Sequence, residues 1–256
     1  MEEEEFKKLV ETIRKIRKEC PWDREQTHES MRKYLMEECF EVAEAIDSGD
    51  DKKLKEELGD LLIQVIFHSI LAEEKEVFCL VDVLKETREK LVRRHPHVFG
   101  GKDIRTGQEV LMQWEEIKNE EGRESVLAGV PKDMPALLKA YRITEKAGVV
   151  GFDWKGVEDV WGKVVEEIGE LRKAIDTKEG VEEEMGDVLF VLVNLSRHLG
   201  IDPEGALQKA TERFRTRFSL IEKKAKERGI NLREMSLKEM DEIWEEAKRK
   251  GEERNS

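Results

Sequence analysis

The chain repeats one helical pattern twice, and this repeat limits the possible fold more than any other feature. Apolar residues recur at the spacing of helices, and no segment alternates as a half-exposed strand does. Each half contains a helix, a short turn and a second helix, at about residues 29–47 and 51–75 and again at about 157–176 and 181–199. Two helices joined by a short turn lie antiparallel. The sequence therefore predicts an all-α chain of two tandem helical-bundle units.

The limits of the two units are predicted from a lapse in the helical pattern. The stretch 122–135 contains two glycines and two prolines, which favour turns over a regular element. We therefore predict an N-terminal unit at residues 1–121, a linker at 122–135 and a C-terminal unit at 136–256. Ser236 and Glu239 have the spacing of a capping box and should begin the last helix.

Each unit carries the same acidic motif on its central pair of helices. The first helix contains EExxE and the second contains ExxD, so two carboxylates stand one turn apart on each helix and the pairs can face each other. The four acids are Glu38, Glu41, Glu57 and Asp60 in the first unit and Glu167, Glu170, Glu184 and Asp187 in the second. A third EExxE string, at residues 120–124, is not followed by ExxD and is interpreted as a solvated charge run. Joint recurrence of both motifs distinguishes the other two copies from chance.

These acids could simply form the solvent-exposed face of amphipathic helices, but the apolar residues next to them in the sequence favour a cation site. Asp60 directly precedes Leu61 and Leu62, and Asp187 directly precedes the apolar run 188–192. Four carboxylates that converge beside a core repel one another and have raised pKa values unless cations neutralise them. Ligands that are all oxygens favour Mg²⁺ or Mn²⁺ over zinc. The motif therefore predicts a site for a hard divalent cation in each unit.

Basic and aromatic residues recur after each acidic set. They are Lys90, Arg94 and Trp114 in the first unit and Arg213, Arg217 and Trp244 in the second. Basic side chains can bind phosphate, and an indole ring can stack on a base or close a pocket. The ordinary alternatives are solvated arginines and core tryptophans, and the matched order in both units favours the functional interpretation.

The charge of the chain excludes several classes of partner. The 59 acids outnumber the 46 bases and give a net charge of -13, which argues against binding to a nucleic-acid backbone. No apolar run approaches the roughly 20 residues that span a bilayer, so no membrane association is expected. The acidic start, Glu2 to Glu5, is the opposite of a cationic signal peptide. Three cysteines without CxxC spacing indicate neither a disulfide framework nor a zinc site. We expect a cytoplasmic protein.

On these motifs the chain resembles the MazG family of the all-alpha NTP pyrophosphatase superfamily. The resemblance covers nearly the whole chain and also rests on CPWD, QTH, HPHVFG, GFDW and NLSRHLG, at residues 20–23, 26–28, 95–100, 151–154 and 194–200. It implies the fold of that superfamily and the Mg²⁺-dependent hydrolysis of nucleoside triphosphates, ATP and deoxynucleotides among them, to monophosphate and pyrophosphate. Water activated by the metal would attack the alpha phosphorus.

The resemblance also assigns roles to individual residues. The eight motif acids would be the metal ligands, and Glu166, with the four acids of the second unit, would form the catalytic set. The nucleotide contacts would be Lys163, Asn194, Arg213, Arg217 and Trp244 in the second unit and Lys90, Arg94 and Trp114 in the first. Tyr34 and Phe67 stand at the positions that match Lys163 and Asn194. The second unit is therefore the more complete site.

Two other functions and one assembly state were considered from the residues. Ferritin-like di-iron proteins need Glu-x-x-His, and none of the five histidines follows a motif acid by three positions. A non-enzymatic helical scaffold or a nucleotide-binding regulator would explain the periodicity but not the matched carboxylates and bases. One helical unit offers only half of a four-helix arrangement, so we expect a homodimer.

Overall fold

The chain folds into helices joined by short connections. The computed structural model describes residues 1–101, 106–122 and 124–252, and within these ranges regular structure consists of twelve α-helices and one 3₁₀ turn, with no strand. This confirms the all-α prediction. The chain forms two compact units, Met1–Ile104 and Arg105–Ser256. This division falls before the described residue 106, and the linker at 122–135 stays a prediction.

The first unit is built around one helical hairpin. Its helices are α1 (Glu2–Glu19), α2 (Pro21–Arg24), α3 (His28–Ser48), α4 (Asp51–Glu74), α5 (Leu80–Arg94) and α6 (Pro96–Phe99). Gly49 ends α3 in the left-handed conformation, with φ +66°, which glycine adopts without strain. The side chain of Asp50 then accepts hydrogen bonds from the backbone N–H groups of Lys52 and Lys53 and caps α4. These two residues reverse the direction of the chain, so that α3 and α4 lie side by side.

The core of the first unit draws on four helices. Ile13 of α1, Met31 of α3 and Leu80 of α5 pack against a run of α4. That run consists of Ile66, Phe67, Ile70 and Leu71. The C-terminal half of α4 therefore packs the hairpin into the core of the unit, and the acids of α4 lie in its N-terminal half.

The second unit repeats the hairpin and adds helices on both sides of it. Its helices are α7 (Gly107–Glu120), α8 (Ala136–Val149), α9 (Val157–Thr177), α10 (Val181–His198), α11 (Pro203–Arg228) and α12 (Leu237–Glu252), with a 3₁₀ turn at Leu232–Glu234. Helix α7 contacts α8 and so groups with this unit. The predicted capping box is present, because Ser236 N–H donates to Glu239 Oε2 at 2.9 Å and Glu239 N–H donates to Ser236 Oγ at 3.3 Å.

Two separate apolar clusters stabilise the second unit. Val160, Val164, Val191 and Leu195 join α9 to α10. Ile221, Ala225, Met235 and Ile243 join α11 to α12. Other large apolar side chains of α9 and α10 remain 42–58% exposed, namely Trp161, Val165, Ile168, Leu189, Phe190 and Leu192. No helix within the described ranges is both long and apolar enough to cross a membrane.

Candidate functional site

The hairpin of each unit brings motif carboxylates together. In the first unit, oxygens of Glu38, Glu41 and Glu57 all lie within 4.8 Å of one another. In the second unit, the group that meets the same limit is Glu167, Glu184 and Asp187. Glu57 and Glu167 are only 8% and 7% exposed, so each unit buries one acid of its set. Three of the four predicted acids therefore converge in each unit, and Asp60 and Glu170 lie outside these groups.

The remaining acids still act on the groups electrostatically. Burial raises the pKa of Glu184, and the charges of Glu170, Asp187 and Glu167 raise it further. In the first unit, burial also raises the pKa of Glu38, with further contributions from Asp60, Glu41 and Glu57. A raised carboxyl pKa means that nearby positive charges do not balance burial and the repulsion between the carboxylates. Both sites consequently favour a bound cation.

Lys163 supplies part of this compensation in the second unit. Its ammonium Nζ lies 2.7 Å from Glu166 Oε1 and 2.7 Å from Glu167 Oε1. These hydrogen bonds raise the pKa of Lys163, which is fully charged at neutral pH. The matching position in the first unit is Tyr34, whose ring packs edge-on against Trp22 with centroids 5.8 Å apart. The predicted nucleotide contact Lys163 is thus a direct neighbour of the acids.

The other predicted contacts of the second unit lie in two places. Asn194 is 1% exposed, and its Oδ1 accepts a hydrogen bond of 3.0 Å from Arg197 Nε. Arg217 lies over the ring of Trp244 at 5.3 Å, on the contact between α11 and α12. Within the described ranges, neither Arg213 nor Arg217 forms an ion pair with the motif acids. Lys163 is therefore the one predicted basic contact that the structure joins to the acids in this unit.

The predicted contacts of the first unit are dispersed along the chain. Lys90 lines an open cavity of about 510 Å³ on α5, together with Asp82, Glu86 and Glu89. Arg94 ends α5. Trp114 lies on α7, which groups with the second unit, and its ring is 4.9 Å from Lys118 Nζ. The roles of these three residues toward a nucleotide remain predictions.

Comparison with known proteins decides the family. The profile of the MazG nucleotide pyrophosphohydrolase domain matches residues 26–99 and 156–219, which contain both acidic motifs. The chain belongs to the MazG family. It is 47% identical over 248 residues to "Nucleoside triphosphate pyrophosphohydrolase/pyrophosphatase MazG" of Thermotoga maritima, with 95% of each chain covered. It is 42% identical over 249 residues to "Nucleoside triphosphate pyrophosphohydrolase" of Escherichia coli, covering 94% of this chain and 95% of the relative.

Membership of the MazG family makes the chain an enzyme of the nucleotide pyrophosphohydrolase class, with two tandem copies of the domain. The chain is also 45% identical over 252 residues to "Uncharacterized protein YabN" of Bacillus subtilis, and it covers 52% of that longer protein. In all three alignments the similarity extends over at least 94% of this chain. Both MazG units are therefore part of what these relatives share.

Two segments that carry the MazG resemblance meet in the second unit. Asp153 Oδ1 accepts hydrogen bonds from Arg197 Nη2 and, at 2.9 Å, from His198 Nε2. Burial opposes the ionisation of Asp153, but these hydrogen bonds outweigh it and lower its pKa. A Cβ atom on Gly148 would lie 2.8 Å from Asp153 Oδ2, so any other residue there would have to displace this carboxylate. Arg197 also donates a hydrogen bond to the buried amide of Asn194 and so orients it. The opposite charges of Asp153 and Arg197 could have indicated from the sequence that the two segments are in contact.

The first MazG unit contains a buried polar group that the motif search missed. His28 Nδ1 and His68 Nδ1 lie 2.8 Å apart with their rings stacked. Gln64 precedes His68 by one turn of α4, and the buried atoms Gln64 Oε1 and His68 Nε2 have no hydrogen-bond partner among the described residues. Aligning the acidic motifs places Val157, Val191 and Leu195 at the corresponding positions of the second unit. A comparison of the two units for buried polar residues would have found this difference.

Exchange of this polar group should change how stability depends on pH. Burial and the charge of His28 lower the pKa of His68 below its usual 6.5. Folding therefore favours neutral His68. Its full contribution to the free energy of unfolding is present at pH values above the usual pKa of 6.5, and this contribution is lost as the pH falls through the lowered pKa of the folded state. We expect the variant His28→Val, Gln64→Val, His68→Leu to unfold with a weaker dependence on pH between about 7 and 5, measured by chemical denaturation.

The single substitution His68→Ala serves as the comparison. It should destabilise the unit by roughly 2 kcal/mol, because it leaves His28 unpaired and opens a cavity. The triple variant removes the polar partners together and should lose less. An unchanged pH slope in the triple variant would contradict the assignment to His68.

Proposed function

We propose that the second unit hydrolyses nucleoside triphosphates, including deoxynucleotides, to a nucleoside monophosphate and pyrophosphate with Mg²⁺ as cofactor. The observation that carries this proposal is the convergence of Glu167, Glu184 and Asp187 beside Lys163. Two of the relatives that align over at least 94% of this chain, those of Thermotoga maritima and Escherichia coli, bear the name nucleoside triphosphate pyrophosphohydrolase. Their names support the substrate class, and the acids support the cofactor.

The residues of both hairpins fit a hard divalent cation. Each hairpin offers three carboxylate oxygens that lie within 4.8 Å of one another, and one acid of each set is almost wholly buried. The candidate ligand atoms in both sets are all oxygens, which hard divalent cations prefer. Glu167, Glu184 and Asp187 would hold the ion in the second unit, with Glu170 beside them. Mg²⁺ bound there would offset the negative charge of the phosphates and increase the acidity of a water molecule. Mn²⁺ has similar ligand preferences and is the alternative ion.

The protein residues around the acids divide the remaining tasks. We propose that Glu166 takes a proton from the attacking water, and its exposure, its position next to the buried Glu167 and its hydrogen bond from Lys163 support this role. The ammonium of Lys163 can pass from its carboxylate partners to a phosphate oxygen, because a lysine side chain has four flexible carbons. Arg213 and Arg217 would stabilise the charge that develops on the leaving pyrophosphate.

The first unit has the acids, but among the described residues no ammonium forms an ion pair with them; Lys53, which pairs with Glu44, acts on Glu57 and Glu41 only through its charge. Tyr34 stands where Lys163 stands in the second unit, and Phe67 stands where Asn194 stands. A phenol can donate one hydrogen bond but supplies no positive charge at neutral pH. We therefore propose that the first unit hydrolyses nucleotides more slowly than the second or binds them in a regulatory role.

The products of the reaction distinguish this proposal from other nucleotide hydrolases. Purified protein with Mg²⁺ and ATP or dUTP should release monophosphate and pyrophosphate in equal amounts, detected by anion-exchange chromatography. Attack at the alpha phosphorus leaves the beta and gamma phosphates joined, which explains the expected pair of products. Diphosphate and orthophosphate would place the attack at the gamma phosphorus and overturn the proposal.

We also propose that the protein acts as a homodimer in the cytoplasm. The exposed apolar side chains of α9 and α10 form a surface that a second copy of the hairpin would cover as a four-helix arrangement. Such pairing could also bring a partner's basic residues to the acids. Sedimentation should give twice the mass of the chain, and a monomer at micromolar concentration would contradict the proposal.

A further inference from the structure

The first unit has a second surface whose charge differs from that of the chain as a whole. A cavity of about 550 Å³ opens between α1, α2 and the C-terminal end of α4. Glu73, on its rim, is 13 residues beyond Asp60 on α4, which corresponds to roughly 20 Å along the helix. The cavity is therefore separate from the acidic site. Four cationic side chains and two acids line it, with Ile70 as its apolar wall.

Two of the four cations are fixed by the acids of the cavity. Arg17 donates from Nε and Nη2 to the two carboxylate oxygens of Glu74, at 2.9 and 2.7 Å. Its other terminal nitrogen donates to the backbone carbonyl oxygens of Asp23 and Gln26, which holds α2 against α1. Arg14 Nη2 donates to Glu73 Oε2 at 2.6 Å. These pairs neutralise both acids and orient the wall of the cavity.

The other two cations are left as surplus positive charge. Lys18 and Arg24 line the same cavity, and neither forms an ion pair or side-chain hydrogen bond among the described residues. Lys18 and Arg24 therefore give the side chains that line this concave surface a net positive charge, beside two guanidinium groups that are already oriented.

We propose that this cavity binds a small phosphate-bearing anion through Lys18 and Arg24. Two surplus charges match a phosphate group that carries two negative charges, and the planar fork of Arg24 suits its oxygens. The volume lies within the range of small-molecule sites. The binding chemistry is independent of the proposed reaction, and only the source of the anion rests on it. Pyrophosphate and nucleoside monophosphate, the two products, both present the required group.

Calorimetric titration tests the site without turnover. In metal-depleted buffer that contains no phosphate, the acidic hairpins repel anions, so binding reports on basic surfaces. Pyrophosphate is titrated in one arm and AMP in the other. We expect wild-type protein to bind at least one probe, and Lys18→Gln with Arg24→Gln to bind it roughly tenfold more weakly or worse, because two charged contacts are lost. Both side chains are exposed, so the variant should fold normally.

A matched control separates the site from general charge. Lys15→Gln with Lys52→Gln removes the same charge from exposed positions of α1 and α4 that do not line the cavity. The control should bind as the wild type does. The proposal is overturned if neither probe binds wild-type protein, or if the control loses as much affinity as the cavity variant. A preference for pyrophosphate or for AMP identifies the source. Loss of hydrolysis alone would overturn only the proposed function, since this titration does not depend on catalysis.

Discussion

Replacement of Glu167 by Gln and Asp187 by Asn is expected to lower the rate of pyrophosphate release about a hundredfold or more. The two substitutions preserve side-chain shape but remove two of the three converging carboxylates of the second unit. Loss of the cation would remove several kcal/mol of charge stabilisation, and each 1.36 kcal/mol corresponds to a factor of about ten in rate. Initial rates of pyrophosphate release at saturating ATP and Mg²⁺ measure the effect.

The first unit provides a matched control for this experiment. Glu38→Gln with Asp60→Asn changes the same residue types at the corresponding motif positions and removes the same charge. We expect it to change the rate by less than about threefold, because Tyr34 replaces Lys163 in the first unit and we propose that the second unit carries most of the turnover. A full rate in the second-unit variant would contradict the assignment of the active site. Equal losses in both variants would show that the first unit also catalyses.

Addition of Mg²⁺ is expected to raise the unfolding temperature at neutral pH, and to raise it much less near pH 5. The pKa values of Glu38, Glu57 and Glu184 are raised, first by burial and then by neighbouring carboxylates. The contribution of such acids to stability is full below their unfolded pKa and is lost as the pH rises through the folded pKa. At neutral pH they oppose folding, and a bound cation relieves them. An ion present at 100 times its dissociation constant adds about 2.7 kcal/mol.

Thermal unfolding with and without excess Mg²⁺ at the two pH values provides the measurement. The variant Glu167→Gln with Asp187→Asn should lose the part of the shift that comes from the second unit. Potassium chloride at equal ionic strength controls for screening of surface charge. A shift that potassium reproduces, or one that is equal at both pH values, would contradict specific binding of Mg²⁺ by the acids.

The helical hairpins and their acids could be predicted from the sequence because both follow from short-range rules. Helical spacing and the turn at Gly49 and Asp50 determine α3 and α4, and acids three residues apart must share a helix face. The same rules located α9 and α10 to within about two residues, the usual scatter at helix ends. Local pattern was thus sufficient to assign the four acids to one hairpin in each unit.

Features that depend on packing between distant residues could not be predicted in this way. Helical spacing placed α7 before a linker, but its contact with α8 groups it with the second unit. The spacing also gave no reason for Glu41 to join the converging carboxylates while Glu170 does not. The stacking of His28 on His68 joins residues 40 positions apart. Such contacts depend on side-chain rotamers and helix rotation, which motif spacing leaves open.

The position of Lys163 links two binding events thermodynamically. Its ammonium holds Glu167, which is also a member of the converging carboxylates, so a divalent cation must compete with this side chain for the same carboxylate. A cation that wins this competition frees the ammonium to meet a phosphate. Metal and nucleotide should therefore bind the second unit with positive cooperativity, and by reciprocity each should increase the affinity for the other. Tyr34 carries no ammonium that a cation could release from a carboxylate. Ion binding by the first unit should therefore not be coupled to nucleotide binding through this residue.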